Sequence, residues 1–295
     1  MTLATKRALT AYLFLALPLV FFLCVRLGPM VYMLVMSFTN WGLLRKTVKF
    51  IGFENYIILF NDPVFLQALG NTFRYAVFGA PIVIILSLLI ALLLDSIPKG
   101  KGLFRLIYVL PYITPVVAVS WVWRWMYQPP PLGIINGILG ILGLPAGEFL
   151  NSPTQALPSI LAVNVWVEMG YCTTIFLAGL QTIPKEMSEA ARIDGANDQQ
   201  VLRRITLPLL MPITFFLMVM EGIQFLRIFT QVYNMSMQAM GGPLNSTKSA
   251  ALYIYQKAFT NFEMARAASA SVVLFLIIMV VTVLQVRFFD KRVNY

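Results

Sequence analysis

Histidine is absent from all 295 residues of the chain. With it go His-based acid/base catalysis, His metal ligation and every Ser-His-Asp or Cys-His nucleophile arrangement. Charge is scarce as well. Charged residues make up 12% of the sequence and hydrophobic ones 59%, about half the charged share of an ordinary globular domain. Only two cysteines occur, Cys24 and Cys172, each inside an apolar run, so a disulfide framework or zinc site has nothing to build on. They read as small hydrophobes. What is present in excess is apolar surface: mean hydropathy is +0.78, and several uncharged runs of about 20 residues match the thickness of a bilayer. The composition defines a polytopic membrane protein. A net charge of +10 then reflects basic residues that hold cytoplasmic loops in place, and no nucleic-acid-binding motif competes with that reading.

Six segments can span a bilayer, each as a helix because hydrocarbon offers the backbone no other partner. They fall at about residues 8–37, 75–94, 106–123, 157–180, 205–226 and 267–286. The first contains Arg26 and Gly28-Pro29. The third contains Pro111 and Pro115, which kink it unless neighbours satisfy the freed carbonyls. The fifth carries Pro208 and Pro212 in its first turns. Lys6 and Arg7 ahead of an apolar stretch resemble a signal peptide, but the stretch runs too long and lacks a small-residue cleavage site, which favours an uncleaved span. The fold class is all-α integral membrane, and residues 1–295 read as one transmembrane domain.

Basic residues orient the spans. Residues 1–7, 95–105, 181–204 and 287–295 hold 12 Lys/Arg, whereas the much longer segments 38–74, 124–156 and 227–266 hold 9. The first set, with both termini, is expected to be cytoplasmic. The opposite side carries Trp41, Phe53, Tyr56, Phe60, Phe65, Pro129 to Pro131 and Gly241-Gly242-Pro243, the composition of short interfacial helices and turns.

The longest cytoplasmic segment, 184–204, reads as a helix, a glycine turn and a second helix. Pro184 suits a helix start, Glu186 and Glu189 lie near its positive end, and Gly195 can adopt the left-handed conformation that ends it. Ala190 and Ala191 make a small-residue face that another protein's backbone can approach, edged by Glu189 and Arg192. The pattern is that of a docking surface.

At this segment the chain resembles the inner-membrane permease subunits of bacterial ATP-binding-cassette importers. Their signature is E-A-A, three residues, G, nine residues, I-x-L-P, and Glu189-Ala190-Ala191, Gly195, Ile205, Leu207 and Pro208 stand at every one of its spacings. The resemblance is to the sugar-permease branch, which includes the larger membrane subunit of maltose transporters and the glycerol-phosphate permeases. It extends nearly end to end through Ser37-Phe38-Thr39, Gly52-Phe53-Glu54-Asn55-Tyr56, Asp62-Pro63-Val64-Phe65, Gly100-Lys101-Gly102, Leu110-Pro111-Tyr112, Ala178-Gly179-Leu180-Gln181, Asp194-Gly195-Ala196 and Gly241-Gly242-Pro243. Met237-Gln238-Ala239-Met240 departs from the Thr-Gly stretch usual in relatives. The resemblance implies a bacterial inner-membrane subunit with no cofactor and no chemistry of its own. It would pair with a second homologous permease, sit on two ATPase subunits that hold ATP and magnesium, and receive a carbohydrate from an extracytoplasmic binding protein. Glu189, Ala190, Ala191, Asp194 and Gly195 would couple to the ATPase.

Ionisable groups inside spans are costly and are functional candidates by default. Asn164, Glu168 and Tyr171 follow i, i+4, i+7 spacing on the fourth span, with Trp166 beside them; Glu221, Gln224, Phe225 and Ile228 form a comparable face on the fifth. Carboxylates, amides and aromatic faces suit a carbohydrate, whose hydroxyls donate and accept while its ring faces are apolar. In the maltose-type relatives, positions matching Tyr171, Glu168, Glu221, Phe225 and Ile228 line the sugar cavity. Of these only Tyr171 keeps its residue type, which implies a ligand other than maltose. The plainer alternative is that Glu168 and Glu221 pair with Arg124 or Arg227, and that Asn164 and Gln224 form interhelical hydrogen bonds. Trp121, Trp123 and Trp125 read as an interfacial belt, Arg26 and Arg74 as snorkelling cations. Met235, Met237 and Met240 lack the Cys or His that a copper site needs.

Two other functions compete with the importer permease. An ion-coupled secondary transporter would use Glu168 or Glu221 to carry a proton, but it has no need of a docking loop. A membrane-embedded enzyme has neither His nor a metal cluster to work with.

Overall fold

A computed structural model describes residues 3–43, 47–97, 100–236 and 240–290. The Met237-Gln238-Ala239 stretch and the basic C-terminal residues lie outside them. Among the described residues every regular element is helical, apart from an isolated bridge between Thr39 and Phe50. Four helices are long and apolar enough to cross a membrane, and two bent pairs raise the number to six if each pair is one span. The chain falls into two compact units.

The first unit takes the chain to Asp62 together with Ile254–Leu276. Its first helix, α1, runs over Leu3–Met36 with a π-helical turn at Phe22–Leu27. The cause is local. Pro29 has no N–H to donate, and just ahead of it the Gly28 N–H reaches back five residues to Leu23 O, so the wider turn absorbs the break. After α1 the chain turns back through the Thr39–Phe50 bridge into α2, Glu54–Phe60. The Asn55 amide fixes this turn by donating to Ser37 O at 2.8 Å and Thr39 O at 2.7 Å. Phe38 lies edge-on to Phe53, 5.3 Å between centroids. Lys257, Glu263 and Arg266 form an ion-pair chain at 3.3 and 3.1 Å.

The second unit takes Pro63–Tyr253 and the chain from Ile277. Helix α3, Pro63–Ser96, has 34 residues. At 1.5 Å per residue it measures about 51 Å, well beyond the ~30 Å hydrocarbon core. Phe65 and the residues up to Arg74, expected in short interfacial helices and turns ahead of the second span, therefore belong to one helix that is longer than the lipid is thick. The third span is broken. α4, Lys101–Ile113, and α5, Val116–Met126, meet at 96° where Thr114 and Pro115 turn extended. α4 packs on α7, whereas α5 packs on the short α11. After α6, Ile134–Ile141, comes α7, Ala156–Thr182, which packs on α3 and is the most buried of the long helices.

Then follow α8, Lys185–Ile193, α9, Asp198–Leu209, and α10, Met211–Leu226. The chain bends by 60° between α9 and α10, ahead of Pro212. Before Pro208, as before Pro29, a π-turn intervenes, with the Leu207 N–H donating to Leu202 O. α11, Thr230–Met235, and α12, Ala250–Tyr255, are the short elements before α13, Met264–Asp290. Met235, expected in an outer loop, ends α11 fully buried.

In lipid, helices associate through close packing rather than through release of water, so small residues at crossings matter most. Gly79 of α3 lies under the ring of Phe225 of α10, where an added Cβ would collide with the ring carbons. Substituting Gly79→Leu should overpack this crossing by about 1–3 kcal/mol. Lowered thermal stability of the purified protein, relieved by Phe225→Ala in the same chain, is the expected result; an unchanged melting curve for the single variant contradicts it.

Candidate transport pathway and docking loop

α7 and α10 are brought together where the two polar stripes meet. Gln224 Nε2 donates to Glu168 Oε1 at 3.4 Å. About one turn away, Cys172 Sγ donates to Glu221 Oε1 at 3.1 Å, while Glu221 Oε2 is buried with no hydrogen-bond partner. Asn164 Oδ1 accepts from Gln231 Nε2 of α11. Asn164, Glu168 and Glu221 are buried, Tyr171 is half-buried and Gln224 exposed. Tyr171 stacks on Tyr112 of α4, 5.4 Å between centroids at 24°. The cluster thus offers buried acceptors edged by two stacked phenol rings.

The stripes do not meet along their whole length. Phe225 and Ile228 are buried in the apolar core, where Phe225 fills the space beside Gly79. Neither carboxylate takes part in an ion pair among the described residues. Arg124 donates to Asn234 O at 3.2 Å and lies 4.9 Å above the Trp121 ring, and Arg227 is exposed. Trp121 and Trp125 are exposed, whereas Trp123 packs edge-on against Trp166. Sequence reasoning missed Gln231, Cys172 and Tyr112. Gln231 lies in a short helix beyond the fifth span, Cys172 read as a hydrophobe, and Tyr112 sits at the break in the third span. None of the three belonged to a periodic polar pattern that would have marked it.

The helix–turn–helix at 184–204 is largely exposed. No residue of α8 is buried. Pro184 caps its start in extended conformation, and Gly195 ends it at φ +85°. The Gly195 N–H then donates to Arg192 O and the Ala196 N–H to Ala191 O. Arg192 reaches across the turn to Asp198 at 2.9 Å. Asn197 and Gln200 form a reciprocal capping box that starts α9. This rigid turn holds Ile193 at 87% exposure, with Met187 also exposed. Ile193 belongs to no part of the signature, and only its exposure singles it out.

Apolar helices of membrane-spanning length, a polar cluster between two of them and an exposed helix–turn–helix are the parts expected of a membrane transport subunit. The chain belongs to the family of binding-protein-dependent transport system inner membrane components, whose sequence profile matches residues 64–295. It is 36% identical over 293 residues to the probable ABC transporter permease protein YesP of Bacillus subtilis, covering 98% of this chain and 93% of that protein. To the sn-glycerol-3-phosphate transport system permease protein UgpA of Pectobacterium atrosepticum it is 31% identical, covering 84% and 82%. Among solved structures, a chain of a bacterial ABC transporter involved in import of the acidic polysaccharide alginate has the same fold, with a TM-score of 0.83 at 24% identity over 98% of both chains.

Proposed function

We propose that this chain is one transmembrane subunit of an ATP-driven carbohydrate importer, handing on a sugar or glycoside by alternating access. The observation that carries the reading is the exposed, internally fixed turn at 184–204. A carrier driven by an ion gradient needs no such handle, whereas a subunit moved by an ATPase needs one that transmits force without deforming. The relatives named for glycerol phosphate and alginate transport support a polyhydroxylated substrate, as do the stacked phenols and buried acceptors between α4, α7 and α10. The partners are a second homologous permease, two ATPase subunits holding ATP and magnesium, and an extracytoplasmic binding protein. Proteoliposomes containing the assembled transporter should take up sugar only with internal ATP and external binding protein. Uptake driven by a proton gradient alone would establish the ion-coupled alternative.

Residues 184–204 and both termini then face the cytoplasm. In a background lacking the exposed Cys24, Leu244→Cys should react with a membrane-impermeant thiol reagent in right-side-out vesicles. Ile193→Cys should react only after the vesicles are opened. The opposite pattern reverses the orientation.

A further inference from the structure

One face of α3 carries Gln67, Asn71, Arg74, Phe78 and Ile82 in steps of three and four residues, a single stripe along the helix. It borders a cleft of about 670 Å³, closed on the far side by Leu157 and Leu161 of α7 and at one end by Leu244 and Ser246. Polarity changes along its length. Arg74 stands at the boundary of the uncharged stretch of α3, and Phe78 and Ile82 follow about 6 and 12 Å deeper.

At the polar end the cleft is firmly built and incompletely satisfied. Gln67 Nε2 donates to Leu244 O at 2.9 Å, and Asn71 Nδ2 donates to Asn245 O at 2.9 Å and to Lys248 O at 3.1 Å. The loop held in this way keeps Leu244 at φ +54°, where a branched side chain is strained, with the side chain 80% exposed. Ser246 Oγ is buried and has no hydrogen-bond partner. Arg74 is exposed, touches only Asn71 Oδ1 at 3.4 Å, and makes no ion pair among the described residues.

We propose that this cleft binds an anionic phospholipid of the surrounding bilayer, its phosphate on Arg74 and one acyl chain along Phe78, Ile82 and Leu161. A guanidinium with unused donors matches a phosphate in two parallel hydrogen bonds. The apolar end accepts a chain that lies along the membrane normal. Charge complementarity decides the occupant: an apolar protein helix would cover Phe78 and Ile82 but leave Arg74 without an anion. The site depends only on the protein lying in a membrane, not on what it transports.

The full-length chain, purified with the subunits that accompany it, would be offered phosphatidylglycerol and phosphatidylcholine with identical acyl chains in equal amounts, and retained lipid counted by native mass spectrometry. Phosphatidylglycerol is expected in several-fold excess, lost in Arg74→Gln and partly kept in Arg74→Lys. Equal retention of the two lipids, or an excess that survives Arg74→Gln, overturns the proposal. Should Arg74→Gln fail to assemble, Ile82→Trp fills the apolar end and leaves the cation in place; an undiminished excess there is equally fatal. Deacylated glycerophosphoglycerol should not compete. If it does, the site takes a free phosphate and not a lipid. Photo-crosslinks from position 78 that reach only protein would assign the cleft to a neighbouring subunit instead.

Discussion

Replacing Gly195→Val should abolish most ATP-driven uptake while leaving the transporter assembled in the membrane. The cause is conformational rather than steric. Gly195 sits at φ +85°, and a Cβ built on it meets nothing within 4 Å. Left-handed backbone costs an L-residue about 1–2 kcal/mol, and more for a β-branched one. A cost of that size shifts the loop away from its docked form by about 5- to 30-fold. The hydrogen bonds from the Gly195 and Ala196 amides, which turn the chain toward Asn197, depend on that conformation. Gly195→Asn should retain most uptake, because asparagine tolerates the left-handed region. Uptake is measured in proteoliposomes with binding protein and ATP. If the valine variant transports like the parent, the turn does not couple the two parts; if valine and asparagine fail alike, backbone conformation is not the reason.

The second large effect is expected at Glu168. Its carboxylate is buried at the seam between α7 and α10 and joined to Gln224. Glu168→Gln keeps the size and an acceptor, so uptake of a neutral glycoside should fall modestly. Glu168→Leu removes both the contact to Gln224 and the acceptor offered to a sugar hydroxyl. An unpartnered buried polar group costs about 1–3 kcal/mol, or about 5- to 150-fold in rate if the loss is felt during translocation. Stimulation of ATP hydrolysis by the binding protein, which reports on the docking loop, should persist in part. A proton-coupled carrier would lose coupling in both variants equally. Two variants that transport like the parent would place the substrate on other faces of these helices or in the second permease.

Much of this molecule is legible in its sequence because lipid imposes simple rules. Apolar runs gave the spans, and the spacing from Pro184 to Asn197 marked a helix, a glycine turn and a second helix, which the structure has. Where the sequence misled, a proline or a helix end was involved. Pro115 turns the third span through a right angle instead of kinking it, because its two halves pack on different partners, α7 and α11. Pro63 starts one long helix where aromatic residues suggested short interfacial ones. The polar stripes were placed on the correct helix faces as far as Gln224. Periodicity alone could not show that Phe225, one residue on, turns into the core, since this depends on Gly79 making room from another helix. Nor could it reveal that Asn164 is answered by Gln231, a pairing between segments far apart in the chain.

Helix α7 touches its neighbours through glycines on opposite sides. Gly170 lies where a Cβ would come within 2.6 Å of Tyr108 O in α4, and Gly179 lies against the Ile213 side chain of α10. The two stand nine residues apart, two and a half turns, so the helix is clasped from both flanks at different depths. A swap to alanine at Gly170 would wedge α4 outward, because it meets backbone there, whereas at Gly179 the terminal methyl of Ile213 has to turn aside. In a library of all single substitutions, position 170 should therefore accept almost nothing and position 179 little beyond alanine, although neither carries a functional group. The wall of a passage for sugar would then be as intolerant of change where it is bare as where it is polar.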